Sequence, residues 1–126
     1  MDRNAVAVFT KKLSGKITFH RNLQTKIKID LTGFSPRVNV IDLYVHTTGK
    51  LLEKNSLYDG WQPVQNSDRK NLVCPEIAVT NRKIQIAFTD NFPLEFFIGR
   101  VIILYDRTTS KYLSCAPIGI SGTDFI

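Results

Sequence analysis

The sequence has few of the residues on which most enzymes depend. Its 126 residues include two histidines, two cysteines and three glutamates. Histidine is the commonest general base near neutral pH, and both candidates, His20 and His46, stand at the end of a predicted strand. We expect both imidazoles to be solvent-exposed bystanders, and we predict that the protein is not an enzyme.

Cofactor and metal motifs are missing as well. Cys74 and Cys115 each lie close to a proline, and neither has a partner at metal-ligand spacing. The seven glycines are scattered, which disfavours the Gly-rich loops that hold nucleotides. Asp59 and Asp68 do not have the spacing of a calcium-binding EF-hand loop. The sequence therefore predicts two free thiols, no cofactor and no metal site.

Long hydrophobic runs and glycosylation motifs are also absent. A membrane-spanning helix needs roughly 20 apolar residues, and the run from Ala5 to Phe9 is too short even for a signal-peptide core. No Asn-x-Ser/Thr motif occurs. We expect a soluble protein that is made in the cytoplasm.

Strong helix formers are scarce, whereas strand formers are abundant. Ala, Glu, Gln and Met together number 13, against 33 residues of Val, Ile and Thr. Because β-branched side chains favour strands, this composition predicts an all-β protein.

Apolar and polar side chains alternate in several segments, which is typical of half-buried strands. In residues 16–20 and 25–31 the alternation places the isoleucines, Phe19 and Leu31 on one face. The polar residues 21–24 lie between these segments, so we predict a β-hairpin.

Further strands are expected along the chain. The segment 38–45 changes phase at Val40–Ile41, which predicts a bulge or a strand buried on both faces. The remaining predicted strands are residues 5–9, 72–74, 77–79, 83–88, 96–105 (bent at Gly99) and 112–115.

These segments predict a single domain over residues 1–126, with a basic N-terminal arm and a long loop near residues 51–71. The expected fold is all-β: a single jelly roll, or two-sheet β-sandwich, of about eight antiparallel strands. Residues 117–126 are expected to form a tail.

Positive charge is concentrated near the start of the chain. The net charge is +6, and residues 11–28 contain six bases and no acid. We predict contacts with an anionic partner, which would be an acidic protein, nucleic acid or membrane headgroups, through five lysines: Lys11, Lys12, Lys16, Lys26 and Lys28. Lysines that prevent sheet edges from associating are the alternative explanation.

The long loop carries a second candidate contact. Tyr58 and the single tryptophan, Trp61, lie three residues apart in this loop. Exposed, they would contact a sugar or a protein; packed against the sandwich, they would anchor the loop.

The order of these segments resembles a known family. A hydrophobic strand leads into a long loop, then comes the Cys74-Pro75 step, the strand 84–88 and the apolar segment 94–97. In this order the chain resembles the small single jelly-roll vertex (penton) capsid proteins of tailless, membrane-containing, tectivirus-like bacteriophages.

The resemblance implies a non-enzymatic viral structural protein, a capsid vertex or minor capsid subunit of the virion. It implies a homo-oligomer, a pentamer at a vertex, that contacts other capsid or spike proteins. Phe125 and Ile126 would dock on a neighbouring subunit. Two alternatives stay open: a single-stranded nucleic-acid-binding β-barrel, and a carbohydrate- or protein-recognition module.

Overall fold

The computed structural model describes residues 4–10, 12–21, 23–46, 51–53, 62–63 and 70–120. Most of these residues form β-strands, and the only α-helix among them is a single turn. The elements are β1 Asn4–Thr10, β2 Ser14–Arg21, β3 Thr25–Thr32, β4 Val40–His46, β5 Leu51–Glu53, β6 Gln62–Pro63, β7 Lys70–Ala78, β8 Lys83–Asp90, α1 Leu94–Phe97, β9 Val101–Asp106, β10 Lys111–Pro117 and β11 Gly119–Ile120.

The strands form two antiparallel sheets that pack face to face. One sheet has the order β11-β1-β2-β3-β8, the other has the order β10-β9-β4-β7, and β5 pairs with β6 in a short ribbon. The predicted all-β, two-sheet sandwich is confirmed. Within the described residues, no helix is long and apolar enough to cross a membrane.

The core lies between the two sheets and contains the apolar side chains that alternate with polar ones along β2 and β3. Ile17 and Phe19 of β2 pair with Ile29 and Ile27 of β3, and all four are fully buried. Their neighbours in sequence point outward, so one face of the five-stranded sheet is apolar and the other polar. The predicted hairpin through residues 21–24 is confirmed.

Strand β4 is buried on both faces, and its pairing with β7 is irregular. The register shifts twice between Ile41 and Tyr44, so both features predicted from the phase change are present. On the partner strand, Glu76 has a φ of 54°. The carboxylate of Asp42, almost fully buried, accepts a hydrogen bond from the backbone N–H of Glu76 at 2.9 Å. Segments 72–74 and 77–79, predicted as separate strands, are thus largely joined in one bulged strand.

The predicted strand over residues 96–105 begins later than expected. Leu94–Phe97 form one helical turn after Pro93, and Gly99 has a φ of +84° before β9 begins at Val101. The helical turn places Leu94 and Phe97 on the same side, where both are buried. Burial of these side chains between the sheets therefore outweighs the strand pattern.

The first and last described segments of the chain both lie in the five-stranded sheet. Residues 4–10 form β1 and pair along β2, so the predicted strand over residues 5–9 is confirmed, and its alternate side chains complete the core. In the predicted tail, Gly119–Ile120 pair with β1. Within the predicted loop 51–71, β5 and β6 form a ribbon, and β7 begins at Lys70.

The turn between β7 and β8 is locked onto the segment that follows β3. Asn81 and Arg82 have φ values of 54° and 61°, as in a type I′ hairpin turn. The carbonyl of Arg82 accepts hydrogen bonds from the N–H groups of Gly33 and Phe34, both at 3.2 Å. The turn is therefore held in a fixed position at one end of the sandwich.

Candidate anion-binding site

Four lysines project from the outer face of the five-stranded sheet. The register of β2, β3 and β8 places Lys16, Lys26, Lys28 and Lys83 in the polar phase, and all four are exposed. We call this surface the lysine face. Its positive charge follows directly from strand alternation, because the apolar phase of the same three strands fills the core.

Three lysines of this face are close neighbours, whereas Lys83 lies farther along the sheet, opposite Thr32. Lys26 and Lys28 lie two residues apart on β3, which separates their Cα atoms by about 7 Å. Lys16 pairs with Asp30, so Lys28 is its diagonal neighbour at about 7–8 Å. At that spacing two unit charges repel each other by about 0.6 kcal/mol in water. A bound anion relieves this repulsion.

One carboxylate interrupts the lysine face. Asp30 is half-buried opposite Lys16, and its Oδ1 accepts a long hydrogen bond of 3.4 Å from Nε2 of Gln85. Among the described residues, the ion pairs involve Arg21 and Arg107, and none involves a lysine of this face. The face therefore keeps an uncompensated positive charge.

The lysine face has no aromatic side chain among its described residues. Phe19 lies in the apolar phase of β2 and is fully buried, as predicted. Thr18 and His20 occupy the outward positions on either side of it, and His20 pairs with Lys26. Without a stacking platform, this face is suited to phosphate or sulfate groups rather than to nucleic-acid bases.

The structure brings together three of the predicted contact residues, Lys16, Lys26 and Lys28. Lys12 lies apart from them, in the turn between β1 and β2. Lys83 was missed, because its membership depends on the pairing of β3 with β8. The predicted contacts Lys11, Tyr58, Trp61, Phe125 and Ile126 lie outside the described residues.

A second polar cluster has a structural role. Asp42 accepts from the backbone of Glu76 and forms an ion pair with Arg107 at 3.3 Å, and Arg107 also contacts the carboxylate of Glu76 at 2.6 Å. These contacts hold the bulged strand β7 against β4. Because Arg107 already binds both carboxylates, the cluster offers no open site.

The thiol of Cys74 is near this cluster but is not activated. Burial raises the pKa of the Cys74 thiol above its usual range, and the negative charges of Asp42 and Asp90 raise it further. The thiolate is the nucleophilic form, so this thiol is a poor nucleophile at neutral pH. Cys115 is buried.

The prediction that both histidines are exposed was half wrong. His20 is exposed, but His46 is only 1% exposed. It lies at the end of β4, whose outer face adjoins the buried residues Val101, Ile103 and Cys115. β6 also lies close to β10 of this sheet. The phase change within β4 predicted a strand buried on both faces, and this was the sequence signal for the burial of His46.

Comparison with solved structures identifies a similar architecture. The sandwich is similar to that of Candida albicans superoxide dismutase 5. The Cu(II) form of that enzyme superposes with a TM-score of 0.67, at 16% identity, over 96% of this chain and 94% of the other. A variant of the enzyme gives a TM-score of 0.61 at 12% identity, over 95% and 90% of the two chains. No protein-family model and no curated protein sequence matches the chain.

This similarity corrects the function predicted from the sequence. The structures that share the architecture belong to an enzyme and not to a virion protein, so the prediction of a viral structural subunit is wrong. The segment order behind that prediction is also compatible with a superoxide dismutase-like sandwich. At 16% identity the likeness shows the fold alone. The resemblance to tectivirus-like vertex proteins, the homo-oligomer and the virion location stay predictions.

The donor residues of this chain do not fit a copper site. Copper prefers imidazole and thiolate ligands, and the sequence has two residues of each kind. His20 and His46 lie in different sheets. His46 lies across β9 from Pro117 of β10, and Cys115 lies two residues from Pro117 along β10. The Cα atoms of His46 and Cys115 are therefore roughly 12 Å apart. Among the described residues, no group of three or more His, Cys, Asp and Glu could hold a metal ion.

Proposed function

We propose that this chain is a binding domain rather than an enzyme, and that its lysine face holds a linear polyanion through phosphate or sulfate groups repeated along the polymer. The observation that carries the proposal is the clustering of Lys16, Lys26, Lys28 and Lys83 on one sheet face, without an ion pair to a described carboxylate. The net charge of +6 adds long-range attraction for such a partner.

The strand positions of three lysines favour binding over protection of a sheet edge, and the lack of aromatic side chains indicates which part of the polymer is contacted. Protective lysines belong on edge strands, whereas Lys16, Lys26 and Lys28 stand on β2 and β3, which have a neighbour on each side. The absence of aromatic side chains among the described residues of the face favours contacts with the polymer backbone. Such contacts give affinity without sequence specificity.

Binding of a fluorescein-labelled, single-stranded 20-mer oligonucleotide should depend steeply on salt. Each phosphate contact contributes about −0.7 to the slope of log K against log [salt], so four lysines predict a slope near −3. The double variant Lys26→Gln/Lys28→Gln should bind roughly tenfold to thirtyfold more weakly in 0.1 M salt, with a slope less steep by about 1.4. Fluorescence anisotropy at several salt concentrations measures both quantities.

The matched control is Arg37→Gln/Arg100→Gln, which removes the same charge from positions outside the lysine face. Equal weakening in the control would mean that net charge, and not this face, binds the polymer. A slope near zero for the unmodified protein would refute the proposal. Competition by heparin distinguishes a sulfated polysaccharide from a nucleic acid as the preferred polymer.

Copper binding separates the binding-domain proposal from a dismutase function. Because the imidazole and thiolate donors are dispersed, we expect Cu(II) to bind weakly and to be removed by an equimolar amount of EDTA. Electron paramagnetic resonance of the protein with one equivalent of Cu(II), before and after EDTA, tests this. A tightly held, stoichiometric copper spectrum after EDTA would contradict the proposal.

A further inference from the structure

A pocket of about 520 Å³ opens at one end of the sandwich. Four connecting segments surround it: the turns β1–β2, β7–β8 and β9–β10, and the segment that follows β3. Its volume lies within the range of about 300–1,000 Å³ that is usual for small-molecule sites. The lysine face is a flat sheet surface, so this pocket is a separate feature.

The floor of the pocket is apolar. Leu13, Phe34 and Val38 contribute to it, and each is at least nine-tenths buried in the core. Leu113 and Pro36 complete the apolar lining. A ligand that fills this space therefore needs an apolar body.

The polar part of the lining is positively charged. Lys12 lies in the β1–β2 turn, Arg82 in the β7–β8 turn and Lys111 at the start of β10, and all three line this pocket. None of its described lining residues is an Asp or a Glu. Asp106 ends β9 just before the β9–β10 turn, but its two carboxylate oxygens accept from the N–H of Thr108 and the hydroxyl of Thr109.

The guanidinium group of Arg82 is held in place. Its Nε donates a hydrogen bond of 2.7 Å to the carbonyl of Phe34. That bond restrains the plane of the guanidinium group. No described residue accepts a hydrogen bond from its two terminal amino groups. A guanidinium fork matches phosphate or carboxylate oxygens in geometry as well as in charge.

A hydroxyl group adds a further donor. Oγ of Ser35 accepts from the N–H of Arg37 at 3.3 Å, and a hydroxyl that accepts one bond can still donate its proton. Gly33 lets the backbone approach closely here, because a Cβ atom at this position would lie 2.7 Å from the carbonyl oxygen of Lys12. The pocket is thus shaped by specific backbone contacts.

We propose that this pocket binds an organic anion that combines an apolar body with one phosphate or carboxylate group. The apolar body lies on Leu13, Phe34 and Leu113, and the anionic group is bound by Arg82 and Lys111. The proposal is independent of the polyanion function, since it uses different residues and a different class of ligand.

The probe for this site is 1-naphthyl phosphate, with 1-naphthoate as the carboxylate form. We expect saturable binding of one equivalent at millimolar concentration or below, with the largest amide shifts in NMR spectra at Gly33, Phe34 and Leu113. The tighter of the two probes identifies the preferred anionic group. Inorganic phosphate and uncharged 1-naphthalenemethanol should each bind at least tenfold more weakly, because each provides half of the required chemistry.

Variants distinguish this pocket from general attraction to a basic protein. Lys111→Gln should weaken 1-naphthyl phosphate binding about threefold to tenfold, while Lys28→Gln, an equal charge change on the lysine face, should leave it unchanged. Equal effects of the two variants, equal affinity for the uncharged probe, or amide shifts spread over the lysine face would each overturn the proposal. Failure of oligonucleotide binding would leave these results unaffected.

Discussion

Replacing Gly15 with alanine should cost more than about 3 kcal/mol of the free energy of unfolding. Gly15 has a φ of +129°, a conformation that L-residues rarely adopt. An added Cβ would overlap the carbonyl oxygen of Asp30 on the adjacent strand. Since that atom belongs to the backbone, β2 and β3 would have to separate where Gly15 pairs with Leu31.

Gly119→Ala is the matched control for this prediction. Gly119 lies on β11, and a Cβ there would meet no atom within 4 Å. We expect the control to change the free energy of unfolding by less than about 0.5 kcal/mol. Urea unfolding followed by circular dichroism compares the midpoints. A Gly15→Ala midpoint close to that of the unmodified protein would show that the two strands can separate at little cost.

Phe97→Ala should lower the free energy of unfolding by about 3–5 kcal/mol. Phe97 is fully buried in α1, and the centre of its ring lies 5.0 Å from that of Phe19 on β2. The rings of Phe92 and Phe96 approach it edge-on at 6.5 and 5.3 Å. Removing the ring would leave a cavity where the helical turn closes one end of the sandwich. Domains of this kind are stabilised by only about 5–15 kcal/mol in total.

Phe92→Ala is the control within the same aromatic cluster. Phe92 stacks on Phe96 at 4.2 Å but is 37% exposed, so its loss should cost about 1 kcal/mol. The urea midpoint at constant denaturant slope distinguishes the two variants. Equal destabilisation would mean that α1 is anchored by the exposed stack rather than by Phe97.

Strand alternation made the inner layer of the fold predictable. The phases of residues 16–20 and 25–31 identified Ile17, Phe19 and Leu31 as core residues, and all three are fully buried. Such a pattern depends only on neighbours in sequence. The bulged β4 was also predictable, because its phase change is visible in the sequence.

Features that depend on distant pairings could not be predicted in this way. The helical turn before Gly99 interrupts a continuous apolar run, because the core accommodates Leu94 and Phe97 on one side of a turn. Lys83 joins the lysine face only through the pairing of β3 with β8. The end pocket likewise assembles Lys12, Arg82 and Lys111 from three segments that lie far apart in sequence.

The pairing of β1 with β11 has a consequence during biosynthesis. β1 is made well before β11, so one of its edges receives its partner only when Gly119–Ile120 have been synthesised. At a translation rate of about 5–20 residues per second, that edge stays open for roughly 6–20 seconds on the ribosome. During this interval the unpaired backbone groups of Ala5 and Val6 can template pairing with another nascent chain. The short strand β11 thus closes an edge of β1 that stays open to association while the chain is being made.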